Sequence, residues 1–373
     1  MIQILDSTLR EGEQTPGVTF SLEEKLKIAN YLDNFGIDII EAGHPRVSKD
    51  IFDTVKKISN EGLNAEILAH CRAVNEDIDI ARKCDVDWVG IFFCVSNKRL
   101  EKQFHSNIDK AINLVTNTIE YAKSYGLKVR YTPEDAVRTD YYSLLKISRA
   151  AVQAGADKIS IADTVGAMTP SKIYDLISKI KSDLNIELNV HCHNDLGLAT
   201  ANSLAAYEAG ATTIDVSVNG LGERVGIAPL SEICVALHCS YGIKNRWKLN
   251  MLPKISEYVS KVSGIIIPQN LPIVGQNAFT HNAGLHVAAV LNDPSFYEFI
   301  PAELVGKKRN FVLDKMASTH TIKHKLKEMN FKTDQNNIIK LMNYAKSKEK
   351  GAVTNYEIIS LLNESEINKI AYQ

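Results

Sequence analysis

Eight times in its first ~240 residues the chain repeats one pattern: a short apolar run, a polar or glycine-containing turn, then an amphipathic stretch. The runs are Gln3–Leu5, Ile37–Ala42, Ala65–Ala69, Trp88–Phe93, Lys128–Tyr131, Lys158–Ala162, Glu187–His191 and Thr213–Ser217. Each is rich in Ile, Val and Leu and nearly continuous in hydrophobicity, as parallel strands buried on both faces are. Between them lie helix signals. Ser21-Leu22-Glu23-Glu24 forms a capping box ahead of Lys25–Asn34, and Thr169-Pro170 opens a helix over Ile173–Leu184 with a cap and a first-turn proline. Gly36, Gly62, Gly126, Gly155 and Gly210 stand just before strands, where helices end on a left-handed residue. Eight strand–helix units in this length predict a (β/α)8 TIM barrel. A doubly wound open sheet is the alternative, but no glycine-rich dinucleotide loop follows the first strand.

The rhythm changes after about residue 245 of the 373. Residues 247–264 read as a helix. Residues 265–310 are loop-rich, with Pro268, Pro272, Pro294 and Pro301, and 318–373 read as two or three helices rich in Lys, Asn and Glu. The expected division is a catalytic barrel over 1–245 and a smaller, mainly helical region over 246–373, suited to a solubilising tail, a lid or a dimer arm. A net charge of -1 gives no broad field for nucleic acid or anionic membrane. No signal peptide is visible, and no apolar run approaches the ~20 residues of a membrane span. Six scattered cysteines with no CxxC pair read as free, buried thiols of a reducing compartment. The expected location is the cytoplasm.

In a parallel barrel the chemistry sits at the C-terminal ends of the strands, and polar residues collect there. Asp6, Arg10 and Glu11 follow the first run, Glu41 and His44 the second, and His70 the third. Arg130, Thr132 and Glu134 end the fifth, Asp163 and Thr164 the sixth, and His191 and His193 the seventh. Asn219 and Glu223 follow the eighth. In His191-Cys192-His193 the two imidazoles are two residues apart on an extended segment, so both face one way and can share a metal. Glu11 or Asp6 could add a carboxylate. Arg10 can bind a carboxylate bidentately and offset charge as an enolate forms. His70 and Arg130 together could clamp a second, distal carboxylate. Gly220-Leu221-Gly222-Glu223-Arg224-Val225-Gly226 could offer backbone N–H groups to a thioester or pantetheine chain, although a plain turn explains it equally well. His281 and His286 flank a glycine turn in the second region, and His286 is a candidate acid or base.

Three ordered segments carry a resemblance. Asp6–Gln14 (DSTLREGEQ), His191–Asn202 (HCHNDLGLATAN) and Asn219–Gly226 (NGLGERVG) resemble the signatures of the family that groups isopropylmalate, homocitrate and citramalate synthases with related metal-dependent lyases. The similarity extends to Phe279–His286 and Tyr297-Glu298. It implies a barrel with helical subdomains and a domain-exchanged homodimer in which one chain's lid closes the other's site. It also implies a divalent metal (Mg, Mn or Zn) on Glu11, His191 and His193, and acetyl-CoA as co-substrate, with Gln14, Asn219, Gly220 and Gly222 on its side of the site. Arg10 would bind the keto oxygen of a 2-oxo acid and Thr164 its C1 carboxylate. Glu134, His286 and Tyr297 would manage proton transfer from the acetyl methyl group. His70 and Arg130 resemble the branch acting on 2-oxoglutarate to give homocitrate in lysine biosynthesis. Two features point the other way: Asn219 resembles the isopropylmalate branch, which takes 2-oxoisovalerate or, in its relatives, pyruvate, and Thr132, a further substrate-binding position, stands where a serine is common.

Overall fold

The computed structural model describes residues 2–370. Eight parallel strands close into a barrel in sequence order: β1 (Gln3–Asp6), β2 (Ile39–Gly43), β3 (Glu66–Arg72), β4 (Trp88–Cys94), β5 (Lys128–Glu134), β6 (Lys158–Asp163), β7 (Glu187–Cys192) and β8 (Thr213–Val216). Closure excludes the open sheet. β1 pairs with β2 at Leu5↔Ile39 and with β8 from Gln3↔Thr213 to Asp6↔Val216, so no edge is left. Helices between the strands cover the outside. Ser21 makes the expected capping box, and all five helix-end glycines adopt positive φ. Pro170 opens its helix as predicted, but Thr169 makes no side-chain cap bond. All six cysteines are free, and five are buried. Among the described residues no helix is long and apolar enough to cross a membrane.

The first compact unit spans Met1–Ile267 and the second Pro268–Gln373, which moves the expected boundary from 245 to 267. The reason is the helix Leu252–Ser263. It buries Leu252, Ile255 and Val259, and Tyr258 meets Tyr31 of the helix Leu22–Phe35 edge-on at 5.4 Å. Lys27 and Lys254 lie over those rings. An apolar face committed to the barrel cannot belong to a separate region.

The second unit pairs Thr280–His281 with Asn310–Phe311 in parallel, and adds helices Gly284–Asn292, Thr319–Glu328, Gln335–Ser347 and Asn355–Ile370. Leu313, Ile322, Leu326, Ile338, Leu341, Ile358 and Leu362 form its core.

A candidate metal and dicarboxylate site at the barrel mouth

Interior side chains at the ends of the strands surround a cavity of about 320 Å³. Arg10, Glu11, Gln14, His70, Arg130, Thr132, Glu134, Thr164, His191 and His193 all line it, so the barrel gathers ten of the sequence candidates in one place.

Glu11, His191 and His193 are buried and offer ligand atoms within 4.8 Å of one another. His191 Nε2 lies 4.0 Å from Glu11 Oε2. Glu11 is held from several sides: Arg10 donates to Oε2, and the Glu223 N–H donates to Oε1 at 2.9 Å. In the orientation that satisfies its neighbours, the Gln14 amide donates to Oε2 at 3.0 Å. Burial would raise the Glu11 pKa, but Arg10 and the two imidazoles outweigh it and keep the carboxylate ionised. Burial, helped by the neighbouring His191, depresses His193 to about 4, so its ring is neutral with a lone pair to give. His193 Nδ1 is also buried without a hydrogen-bond partner. An anionic oxygen and two imidazoles, one with an orphaned nitrogen, fit a divalent cation.

Beside these residues runs a chain of buried charge whose pairing nothing along the sequence showed. Glu41, fully buried at the end of β2, accepts from Arg10 Nη2 at 2.7 Å and from Arg130 Nη2 at 2.8 Å, and contacts His70 Nδ1 at 3.1 Å. The pairing of β2 with β3 slips between Glu41 and Gly43, the kind of irregularity that re-aims a side chain. Burial opposes ionisation of Glu41, but the two arginines override it and hold its pKa well below the usual carboxylate range. Burial and the charge on Arg10 push His70 down to about 4, and its neutral ring stacks on Phe92 at 4.3 Å. Arg130, expected to clamp a distal carboxylate together with His70, is 2% exposed and its guanidinium is shared between Glu41 and Asp215. It fits because β4 carries glycine opposite it: a Cβ on Gly90 would lie 3.1 Å from Arg130 Nη2 and 2.9 Å from Leu68 Cδ2.

Besides His193 Nδ1, three polar atoms of cavity-lining residues have no partner: Arg130 Nε, Thr132 Oγ1 and Ser160 Oγ. Ser160 sits inside an apolar strand and gave no sequence signal. Glu134 pairs with Arg99 at 2.8 Å, and Thr164 Oγ1 accepts from the Asp135 N–H at 2.9 Å. His44, Nε2 2.9 Å from Asp77 Oδ2, adds another wall.

Of the two readings of the glycine loop, the hydrogen bonds fit the plain turn. The Gly222 N–H is taken by Thr15 Oγ1 at 2.8 Å, and the Gly220 N–H by Ser217 O at 3.2 Å. Gly222 is needed for space, since a Cβ there would come within 3.0 Å of Glu11 Oε1. The loop therefore packs against the Glu11 carboxylate and positions it. Asn219 does not line the cavity. It takes a left-handed φ of 59° and donates to Ser256 O at 3.0 Å, tying the loop to the helix Leu252–Ser263. His286 and Tyr297 lie in the second unit, exposed and stacked with ring centroids 4.2 Å apart.

Residues 1–259 match the HMGL-like family, and 273–351 match the homocitrate synthase post-HMGL domain-like family. The homocitrate synthase of Pyrococcus horikoshii is 51% identical over 89% of this chain and 91% of its own. That of Sulfurisphaera tokodaii is 46% identical over 98% of this chain and 80% of its own. Among solved structures, the Bacillus subtilis HMG-CoA lyase aligns with a TM-score of 0.65 at 22% identity, covering 72% of this chain and 95% of its own. The Pseudomonas aeruginosa hydroxymethylglutaryl-CoA lyase aligns at 0.64 and 19%, covering 71% and 94%. At such identities these two structures speak to the barrel fold alone. The chain belongs to the HMGL-like family, in its homocitrate synthase branch.

Proposed function

We propose that the chain condenses acetyl-CoA with 2-oxoglutarate and water to give homocitrate and CoA, using a divalent metal held by Glu11, His191 and His193. The observation that carries this reading is the single cavity in which those three ligand residues face a buried arginine–histidine wall with unpartnered polar atoms. The ion would act as a Lewis acid toward the keto and carboxylate oxygens of the 2-oxo acid.

The chain's own groups supply the rest. Arg10, fixed by Glu41 and Glu11, stabilises negative charge as it develops on the keto oxygen. Thr164 contacts the C1 carboxylate. Glu134, with His286 and Tyr297, moves the proton from the acetyl methyl group, so that a carbon–carbon bond forms to the keto carbon. Water then cleaves the thioester and CoA leaves. Gln14, beside Glu11, faces the thioester. The far carboxylate of 2-oxoglutarate engages Arg130, His70, Thr132 and Ser160. A branched apolar tail, as in 2-oxoisovalerate, would leave Arg130 Nε, Thr132 Oγ1 and Ser160 Oγ without partners, at a cost of about 1–3 kcal/mol for each buried group.

His286 and Tyr297, exposed on their own unit, are supplied to the barrel of a second copy in a domain-exchanged homodimer. Mixed dimers of Glu134→Gln and His286→Ala chains should then recover activity that neither variant has alone. Free thiols throughout suit a reducing, cytoplasmic setting. The decisive experiment measures CoA release with 2-oxoglutarate, 2-oxoisovalerate, pyruvate and oxaloacetate in parallel. Preference for 2-oxoisovalerate would refute the acceptor assignment while leaving the condensation intact.

A further inference from the structure

Asp215 is the one buried acid of the cavity not yet given a task. It lies in β8, 1% exposed, and its carboxylate has three partners. Oδ1 accepts from Asn189 Nδ2 at 2.8 Å. Oδ2 contacts His191 Nδ1 at 2.9 Å and Arg130 Nη1 at 3.3 Å. One oxygen thus touches both a metal-ligand imidazole and the arginine assigned to the acceptor's far carboxylate.

Each contact has a defined consequence. An imidazole whose Nδ1–H donates to a carboxylate is fixed as one tautomer, leaving Nε2 as the electron-pair donor, and it becomes a stronger ligand. The Nε2 of His191 is the atom that faces Glu11. Arg130 draws on the same Oδ2 and so withdraws negative charge from His191. Arg130 has a shorter bond elsewhere, 2.8 Å to Glu41, and its 3.3 Å contact with Asp215 is longer than an ordinary charge-assisted bond. The Asp215 contact is the one that yields when a second anion approaches the guanidinium.

We propose that Asp215 is a positioning residue that couples recognition of a dicarboxylic acceptor to the grip on the metal, by sharing one oxygen between Arg130 and His191. An acceptor carboxylate that engages Arg130 loosens the Nη1–Oδ2 contact and returns the charge of Asp215 to the His191 N–H. Metal affinity then rises with a dicarboxylic acceptor beyond the gain that direct chelation gives any 2-oxo acid. By linkage, the metal raises acceptor affinity by the same factor. The coupling rests on the acceptor assignment made above, whereas the grip on His191 does not.

Calorimetric titration of the metal-free full-length protein with Mn²⁺ tests both parts, without acceptor, with 2-oxoglutarate and with the monocarboxylic 2-oxobutanoate. Asp215→Asn should weaken acceptor-free metal binding about 10- to 100-fold. In the parent protein 2-oxoglutarate should tighten Mn²⁺ at least about fivefold more than 2-oxobutanoate does, and in Asp215→Asn this increment should vanish. Acceptor-free affinity unchanged in the variant overturns the positioning role. An increment that persists in the variant overturns the coupling. If the parent shows no increment, the coupling is overturned, while the acceptor assignment is judged separately by CoA release and the positioning role by the acceptor-free titration. Should Asp215→Asn not fold, Asp215→Glu replaces it. Its extra methylene misplaces the carboxylate, so metal affinity should fall about tenfold, and parental affinity overturns the proposal.

Discussion

Glu41 Oε1 accepts from Arg130 Nη2 at 2.8 Å, while its other oxygen holds Arg10. A carboxylate from β2 therefore sets the position of both arginines. In Glu41→Gln both guanidinium groups lose one of their two counter-charges, Arg10 keeping Glu11 and Arg130 keeping Asp215. Stability should fall by about 3 kcal/mol, read by urea denaturation. The kcat/KM for 2-oxoglutarate should fall about 100-fold or more. A variant with parental kinetics would show that Glu41 organises nothing at the site.

Gly90→Ala places a methyl group against Leu68 and the Arg130 guanidinium. The backbone of β4 tolerates alanine, so the effect is steric, costing about 1–3 kcal/mol. A displaced Arg130 should lower kcat/KM for 2-oxoglutarate about 10- to 100-fold, with a smaller loss for a monocarboxylic acceptor. Equal losses for both acceptors would mean that Arg130 does not read the far carboxylate.

Chelation with EDTA should abolish CoA release, and a divalent ion should restore it. In Glu11→Gln the charged ligand is lost, although its bond from the Glu223 N–H can persist. Mn²⁺ affinity should fall by about 100-fold or more, beyond what the loss of an outer partner usually costs. Retention of parental affinity would remove Glu11 from the ligand set.

Asp6 gives a pH signature in the metal-free protein. Burial, only partly relieved by hydrogen bonding from Thr8, raises its folded pKa to about 7 from 3.8. Between those values the folded chain keeps a proton that the unfolded chain has released, so stability falls as pH rises, and the cost is complete above about 7. A shift of this size is on the order of 4 kcal/mol between the protonation states. Asp6→Asn should therefore gain stability over the parent as pH is raised from 5 to 8. A pH-independent difference in denaturation would show that Asp6 is ionised throughout.

Replacing Arg130 by an acid would place a further carboxylate beside Glu41 and Asp215, so a loss of activity would report misfolding. His70→Leu, which removes a neutral ring, is the cleaner probe of the far carboxylate.

Much of the site was legible because β-strands alternate and barrels gather strand ends. His191 and His193 share a face by spacing alone, and Arg10, Glu11 and Thr164 sit where strand ends must be. Glu41 was visible at a strand end, but nothing local showed which arginines it would meet, 31 and 89 residues away. Asp215 and Ser160 lie within apolar runs, and only closure turns them inward. Asn219 looked like a ligand-loop residue. Its Asn-Gly pair also marks a left-handed turn, which is the role it plays here.

The order of the elements, the strand-to-helix alternation and the shared face of His191 and His193 follow from local rules: side-chain period, helix caps and left-handed glycines. Those rules act over a few residues. The pairing of Arg10 and Arg130 with Glu41, the sharing of Asp215 between Arg130 and His191, the use of the glycine loop against Glu11 and the attachment of the helix Leu252–Ser263 to the barrel were decided by tertiary structure alone. Buried charge takes its partners from whatever the closed barrel brings within about 3 Å, and that proximity has no counterpart along the chain.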